Sequence, residues 1–432
     1  MLFLIDFFVS ISLDIQKCCF LNFVYTLLRL CHRGKTFDAA LLLTLRKNVN
    51  LLYVKSFINS LRYEDFIFRI KLSFFWKKVV CLLLIASFFQ GCADDEGFVR
   101  ITDVTYFTES SFPVQKQLSH TIHNADFIGD LARLSRVDTL LFAVDSKTDS
   151  LVHVFSTRTP QLTFNIIGKG GGPNEMISVG YVREGQKPYT YCVYDITRKF
   201  WQTGVIDSTD RQFKKTSSFS FKHEAYDRYS VEEPIWLSDQ AFVCVSLIHY
   251  KERYLVFNDS NELLYTGINP YMRFNEDFSA GILSELSSTV GSVKPDKSQL
   301  VLAGRYLNYI EIYQLQENRL LHHLMGPTLS DPRFDVNNSM RMNTLIKSRE
   351  TVKSYLCVDS SDQRIYLLYS GKEIQDPSGY THSKIVYSFH WDGTPHTAYR
   401  LDTEVTSFAV DEEHGKLYAV SYPDNSIVSF DL

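Results

Sequence analysis

The chain of 432 residues is poor in the features that would mark an enzyme, a disulfide scaffold or a nucleic-acid binder. Its 8 cysteines are scattered, and none shows the paired spacing of a disulfide framework or a zinc site. Cys192, Cys244 and Cys357 each sit in an apolar, strand-like run, which reads as buried free thiols more readily than as a metal or redox site. No Gly-x-Ser-x-Gly elbow or His-Glu-x-x-His pair is present, so the common signatures of acyl and zinc chemistry are absent. Cofactor motifs are lacking too. Positive charge is also short. Lys and Arg number 45 against 49 Asp and Glu, and the first 91 residues hold 12 of the bases and only 5 of the acids. That prefix is therefore +7, which leaves −11 for the remaining 341 residues out of a total of −4. An acidic chain repels phosphate backbones, so nucleic acid is not an expected partner.

No apolar run reaches the length of a membrane span, but one short run is informative. Lys77 and Lys78 precede the apolar segment Val79 to Phe89, and Gly91 and Cys92 follow it. Charged, hydrophobic and small-residue zones in that order form a secretory signal. A cysteine directly after Gly91 resembles a bacterial lipobox, although Phe89 and Gln90 stand where Leu and a small residue are preferred. In that resemblance residues 77–91 are a lipoprotein signal peptide and Cys92 is the acylated first residue, anchored by several acyl chains. Asp94, Asp95 and Glu96 resemble the export signal that sends lipoproteins of the Bacteroidetes to the outer face of the outer membrane. Residues 1–76 are then expected to be a non-native upstream extension, with translation starting near Leu72; the rival is a genuine membrane-associated extension. Residues 92–124 are expected to be a tether and a closing strand.

From residue 125 onward a repeat emerges. Val293–Leu300, Val358–Ile365 and Val410–Leu417 each place an apolar strand end seven residues before the next apolar start, with acidic and small residues between. Looser copies at 134–141, 182–191 and 237–242 bring the hairpins to six, and each is followed by further alternating runs. A period of about 40 to 55 residues with four short strands is the mark of a β-propeller. The expected fold is all-β, a six-bladed β-propeller of four-stranded antiparallel blades over residues 125–432; a β-sandwich is the alternative. The sixth unit is one strand short, so a stretch within Thr102 to Ile122 is expected to supply its outer strand and close the ring.

The most distinctive short motif is Gly168–Glu175, GKGGGPNE, between the first and second units. Its spacing fits neither a dinucleotide loop nor a P-loop, and it reads as a tight loop with several positive-φ positions. A Gly-x-Gly-x-Gly-Pro-x-Glu loop after a strand is similar to that of the TolB-like six-bladed propeller lipoproteins of the Bacteroidetes, relatives of the NHL-type propellers. Met176 departs from the Phe often found there. The resemblance implies a lipid-anchored binding or accessory protein without catalytic residues to carry over.

Candidate site residues come from one face of such a ring, where blade-to-blade connections and second-to-third-strand turns gather. Asp145, Lys169, Glu175, Asp195, Arg305 and Arg341 supply polar groups there, and no metal site is expected. Asp145, Asp195, Asp359 and Asp411 each end a strand, where turn capping is the plainer role than metal binding. His322 and His323 are adjacent on a strand and point to opposite faces. Strand aromatics such as Phe142, Tyr191, Phe242, Tyr366 and Tyr418 read as core, whereas Tyr250, Tyr271, Tyr306, Trp391 and Tyr422 sit on loops and are candidates for stacking on a sugar or peptide. The expected function is a non-enzymatic binding or scaffold module, with a glycan, peptide or envelope protein as partner. The alternative is a propeller-type hydrolase or lyase with a metal or carboxylate site at the channel mouth.

Overall fold

The structure, a computed structural model, describes residues 104–123, 129–158, 162–207, 210–220, 230–247, 252–268, 284–328, 335–337, 344–346 and 348–432. The chain divides into two units, Met1–Gly91 and Cys92–Leu432, and every described residue belongs to the second. Cys92, the signal-like segment, Arg341, Tyr250 and Tyr271 lie outside the described residues.

The fold is an all-β propeller. Strands β1 (Thr105–Tyr106), β2 (Val114–Leu118) and β3 (His120–His123) come first. The first sheet runs in chain order through β4 (Leu131–Val137), β5 (Leu140–Asp145), β6 (Ser150–Ser156) and β7 (Leu162–Lys169), with the short β8 (Glu175–Met176) parallel to β7. The second holds β9 (Val179–Glu184), β10 (Tyr191–Asp195), β11 (Phe200–Asp207) and β12 (Gln212–Ser220). The third holds β13 (Ser230–Trp236), β14 (Ala241–Leu247), β15 (Glu252–Asn258) and β16 (Leu263–Ile268). The fourth holds β17 (Thr289–Val293), β18 (Gln299–Gly304), β19 (Tyr309–Gln314) and β20 (Arg319–Met325), and β1 joins it parallel to β20. A small hairpin of β21 (Asp335–Asn337) and β22 (Thr344–Ile346) follows.

The remaining strands form one eight-stranded assembly: β23 (Val352–Ser360), β24 (Arg364–Glu373), β25 (Ser383–His390), β26 (Pro395–Asp411), β27 (Lys416–Ser421) and β28 (Ile427–Asp431), with β2 and β3 added. Its β26 is 17 residues long and works twice. Its first half pairs with β25 and, in parallel, with β2; its second half pairs with β27 from Val405 to Asp411. β3 pairs antiparallel with β28, placing Ile122 opposite Val428.

Of the hairpins read from the sequence, Val293 faces Leu300 and Val410 faces Leu417, whereas Val358 faces Leu367 and Val182 faces Val193, each two residues further along the partner strand. Alternation explains the packing, since a strand sends successive side chains to opposite faces and both faces here meet a neighbouring sheet. Both parities are therefore apolar, as in LLFAVD, where all residues after Leu140 are buried. Large rings fill the wedges between sheets. Trp201 lies 5.4 Å from Trp236 and 5.0 Å from Phe242, and Phe142 lies 5.1 Å from Tyr191. The five strand aromatics expected in the core are all buried. Cys192 and Cys244 are buried free thiols, and Trp391, expected on a loop surface, is instead buried with its indole N–H donating to the Ser361 carbonyl at 2.9 Å.

Candidate functional site

The first strand of each sheet is an inner edge, and its backbone groups need partners that no further strand supplies. Side chains of neighbouring sheets supply many of them. The Ser135 hydroxyl donates to the Val182 carbonyl at 2.7 Å, and Tyr181 reaches the Pro234 carbonyl at 3.4 Å. The Ser360 hydroxyl donates to the Val293 carbonyl at 3.2 Å, and Asp359 accepts the Val410 N–H at 2.7 Å. The Leu134 N–H donates to the Ser407 hydroxyl at 3.0 Å, while Arg136 Nε donates to the Val410 carbonyl at 2.8 Å. Between the third and fourth sheets the link is an ion pair. Arg253 grips Glu311 through two bonds of 2.7 and 2.9 Å and the Ser287 carbonyl at 2.7 Å, with all three residues buried.

These inner strands line a cavity of about 110 Å³ that opens to solvent. Its wall draws on β4, β9, β17, β23 and β26, and its charged members are Arg133, Arg136, Arg183 and Asp359. Cys357, Thr406 and Ser407 add a thiol and two hydroxyls. Burial raises the Asp359 carboxyl above its usual range, and the N–H groups of Val410 and Ser360 and the charges of Arg183 and Arg136 offset this only in part. Burial also raises the Cys357 thiol. A thiol held protonated in this way is a poor nucleophile. Arginine stays charged at any physiological pH, so it binds but does not exchange protons.

The residues expected to bind a ligand lie elsewhere. Asp145 and Asp195 occupy the same place in the first and second sheets and are fully buried. Asp145 accepts the N–H groups of Gly129 at 2.7 Å, Asp130 at 3.1 Å and Lys147 at 2.9 Å, and it contacts His153 Nε2 at 3.0 Å. Burial alone would raise its pKa, but those donors together hold it well below the usual carboxylate range. Asp195 accepts N–H groups from Ile177 at 2.8 Å and Arg198 at 2.9 Å. Both carboxylates clasp the turn after the second strand to the entry of the first.

Glu175 folds back to accept the Gly172 N–H at 2.7 Å, so the carboxylate fills the glycine-rich loop. The expectation of several positive-φ positions is corrected: among the four glycines from 168 to 172 only Gly170 has positive φ, at 158°. Gly170 has a φ that L side chains rarely adopt, and a Cβ there would also displace Glu175 Oε2, 2.2 Å away. Lys169 is exposed beside this loop, and its N–H meets the Asp149 carbonyl at 2.8 Å. Arg198 ties the loop to the Asp195 turn through the Gly170 carbonyl at 2.9 Å. Asp145, Lys169, Glu175 and Asp195 are thus chained together across two sheets. Arg305 sits apart at the fourth sheet, donating from Nε to the Thr289 carbonyl at 3.1 Å.

A recurring backbone bond places these parts on one face. The N–H groups of Ser146, Ile196, Arg305 and Tyr422 donate to the carbonyls of Asp130, Ser178, Ser288 and Glu404, each joining the turn after a second strand to the approach of a first strand. Of the six residues named from the sequence, none of the five described ones lines the cavity. Arg133 and Arg136 on β4 and Arg183 on β9 gave no signal in the sequence because they stand at unremarkable strand positions in two different repeats. Placing arginines on first strands after the repeats were aligned would have found them.

Residues 111–413 match the model of the family described as TolB-like 6-blade propeller-like, and the chain belongs to that family. No curated protein matches it. Among solved structures, a Bacteroides fragilis protein described as a candidate exported protein is 14% identical, with a TM-score of 0.48, covering 77% of this chain and 98% of that one. A duf4221 family member from Bacteroides vulgatus is 11% identical, with a TM-score of 0.49, covering 74% of this chain and 96% of that one.

Proposed function

We propose that this chain is a lipid-anchored protein of the outer membrane, facing the cell exterior, whose six-bladed propeller is a non-enzymatic binding module for a glycan, peptide or envelope-protein partner. The count of six treats the eight-stranded assembly as two blades sharing β26, with β3 as the outer strand of the last. Supporting it, β4 packs against both β9 and β26, as a closed ring requires. Lys77, Lys78, the apolar run and Cys92 support export and acylation.

The observation that carries the binding reading is the composition of the cavity wall. Its convergent charged groups are mainly arginines, and its one thiol is held protonated. The strand-end carboxylates that the hydrolase or lyase alternative would use, Asp145 and Asp195, are committed to backbone N–H groups. Such an arrangement holds a ligand and has little means of cleaving one.

Metabolic labelling with a palmitate analogue in the native host tests the anchor. The expected outcome is labelled membrane protein lacking peptides from residues 1–91, with label lost in Cys92→Ala. Recovery of the prefix, or unlabelled soluble protein, defeats the anchored reading. Crosslinking on intact cells then reads the partner, and loss of the same crosslink in Lys169→Ala is expected if the glycine-loop face makes the contact.

A further inference from the structure

We infer that His323 is an acid-sensitive latch on the junction of the third and fourth sheets: neutral, it lies buried against the Arg253–Glu311 ion pair, and protonated, it competes with Arg253 for Glu311 and loosens that junction. The inference goes beyond the reading of the propeller as a binding module and holds or fails independently of it.

Register sets the geometry. His322 and His323 are adjacent on β20, so they face opposite ways, and only His323 is buried, at 3% exposure. It stands directly across from Glu311 on β19. Glu311 is already occupied: Arg253 Nε and Nη2 donate to it at 2.7 and 2.9 Å, and the Tyr313 hydroxyl donates at 2.9 Å. The His323 ring packs 5.0 Å from that of Tyr309, and neither ring nitrogen has a hydrogen-bond partner within the protein. Another buried imidazole shows the contrast. His153, 2% exposed, contacts Asn165 through Nδ1 at 2.8 Å and Asp145 through Nε2 at 3.0 Å. An unpaired polar ring in the core costs stability that an apolar ring would not, so packing alone does not account for a histidine at position 323.

Charge supplies the switch. With His323 neutral, Arg253 and Glu311 cancel and the cluster holds no net charge. Among the described residues, the titratable and charged groups around the ring are Glu311, Tyr309 and Tyr313 on β19 and Arg253 on β15, while β1, paired with β20, brings only the exposed Tyr106. On the other face His322 meets the turn that carries His390 and Asp392. Protonation of His323 adds one positive charge that nothing in the cluster balances. Burial disfavours that charge, Glu311 favours it and Arg253 opposes it, and the balance holds His323 below the ordinary 6.5. Such a histidine costs nothing well above 6.5, where folded and unfolded chains are both neutral; as pH falls through 6.5 the unfolded chain takes up the proton first and stability drains away. Glu311 is the carboxylate that acts on the ring, and drawing it toward His323 weakens its bonds to Arg253. Links such as Ser135 to Val182 and Ser360 to Val293 are made by hydroxyls and carbonyls, which do not titrate, so acid loosens this junction before those.

The test compares the detergent-solubilised full chain with His323→Phe and His322→Phe in melting curves and in hydrogen exchange, both followed by pH. Between about pH 7.5 and pH 5 the wild-type midpoint should fall by about 2 °C or more relative to that of His323→Phe, and His322→Phe should track the wild type. Exchange in β15, β19 and β20, corrected for its intrinsic pH dependence, should speed up by about tenfold over the same range in the wild type and stay constant in His323→Phe. Should the added ring not fold, His323→Gln replaces it, since its amide keeps a polar side chain that takes up no proton. Midpoint profiles that run parallel in wild type and the His323 variant overturn the inference. So does acid loosening of these three strands that persists without His323, or that disappears in His322→Phe instead.

Discussion

The outer edges of the sheets are treated in two different ways. In the fourth sheet and the eight-stranded assembly, the segment from Thr105 to His123 runs along the edges as β1, β2 and β3. In the second and third sheets, β12 and β16 end the sheet with no strand beyond them among the described residues. For β12 the difference follows the chemistry of the edge, whereas β16 leaves Leu263 and Leu264 exposed. β28 is buried along IVSF, and β20 carries Leu320, Leu321 and the buried Leu324, so these edges would expose apolar surface and unpaired backbone together. β12 reads QFKKTSSFS and is mostly exposed, with Lys214 held at 2.5 Å from Asp207. Lysine and hydroxyl side chains on an edge discourage strand addition, so that edge needs no cover.

The covering segment also supplies core. Phe107 and Phe112 are 3% and 4% exposed and sit in one cluster with Tyr387 and Phe389. Phe112 stacks on Tyr387 at 4.7 Å, and Phe107 meets Phe389 edge-on at 5.1 Å. The Phe107 N–H continues the β1 pairing to the Met325 carbonyl at 3.0 Å. Arg400 pairs with Glu109 and His120 with Asp402, the latter at 2.8 Å. The short polar strands hold the segment in register while the two rings contribute most of the burial.

The largest test of this contrast is deletion of residues 104–123. It uncovers three edges and empties the Phe107 and Phe112 sites, and it should lower the melting midpoint by more than about 10 °C with broadened unfolding. An unchanged midpoint and cooperativity would show that the segment only links the propeller to what precedes it. A narrower test compares single residues. Phe112→Ala should cost about 3–5 kcal/mol by urea denaturation, whereas Leu264→Ala on the bare β16 edge should change stability by no more than about 0.5 kcal/mol. Leu264 is 52% exposed, so little is buried there to lose. Equal losses would mean that the bare edge is covered by something outside this chain.

How far each region was legible in the sequence follows the same division. The hairpins were readable because apolar runs and turn residues lie within a few positions of each other, as in Val293–Leu300. β3 overlaps the end of the stretch Thr102 to Ile122 in which an outer strand was expected, and it pairs with β28. β1 and β2 were not readable: VQKQL buries only Leu118, so it carries no alternation, and two residues of β1 carry no period at all. The doubled role of β26 was hidden too, because its two halves look like two ordinary strands. At the site, strand-end carboxylates were easy to notice and were assigned to ligand binding, but burial and backbone donors make Asp145 and Asp195 part of the frame. The arginine wall joins Arg133, Arg183 and Asp359 from distant positions, and only the packing of first strands brings them together.

The smallest expected effect distinguishes frame from site at Asp145. Its carboxylate gathers four backbone N–H groups, counting Thr148 at 3.2 Å, and Asn has one oxygen with which to accept them. Asp145→Asn should therefore cost about 1–3 kcal/mol at pH 7. The sign of its pH dependence follows from the lowered pKa. A carboxylate whose folded pKa is depressed contributes stability above its unfolded value, near 4, and that contribution drains away as pH falls toward the folded value. The gap in midpoint between wild type and Asp145→Asn should thus be full at pH 7 and pH 5 and shrink at pH 3, all other titrating groups being common to both proteins. A gap that stays constant down to pH 3 would mean that the charge of Asp145 is not what holds the turn.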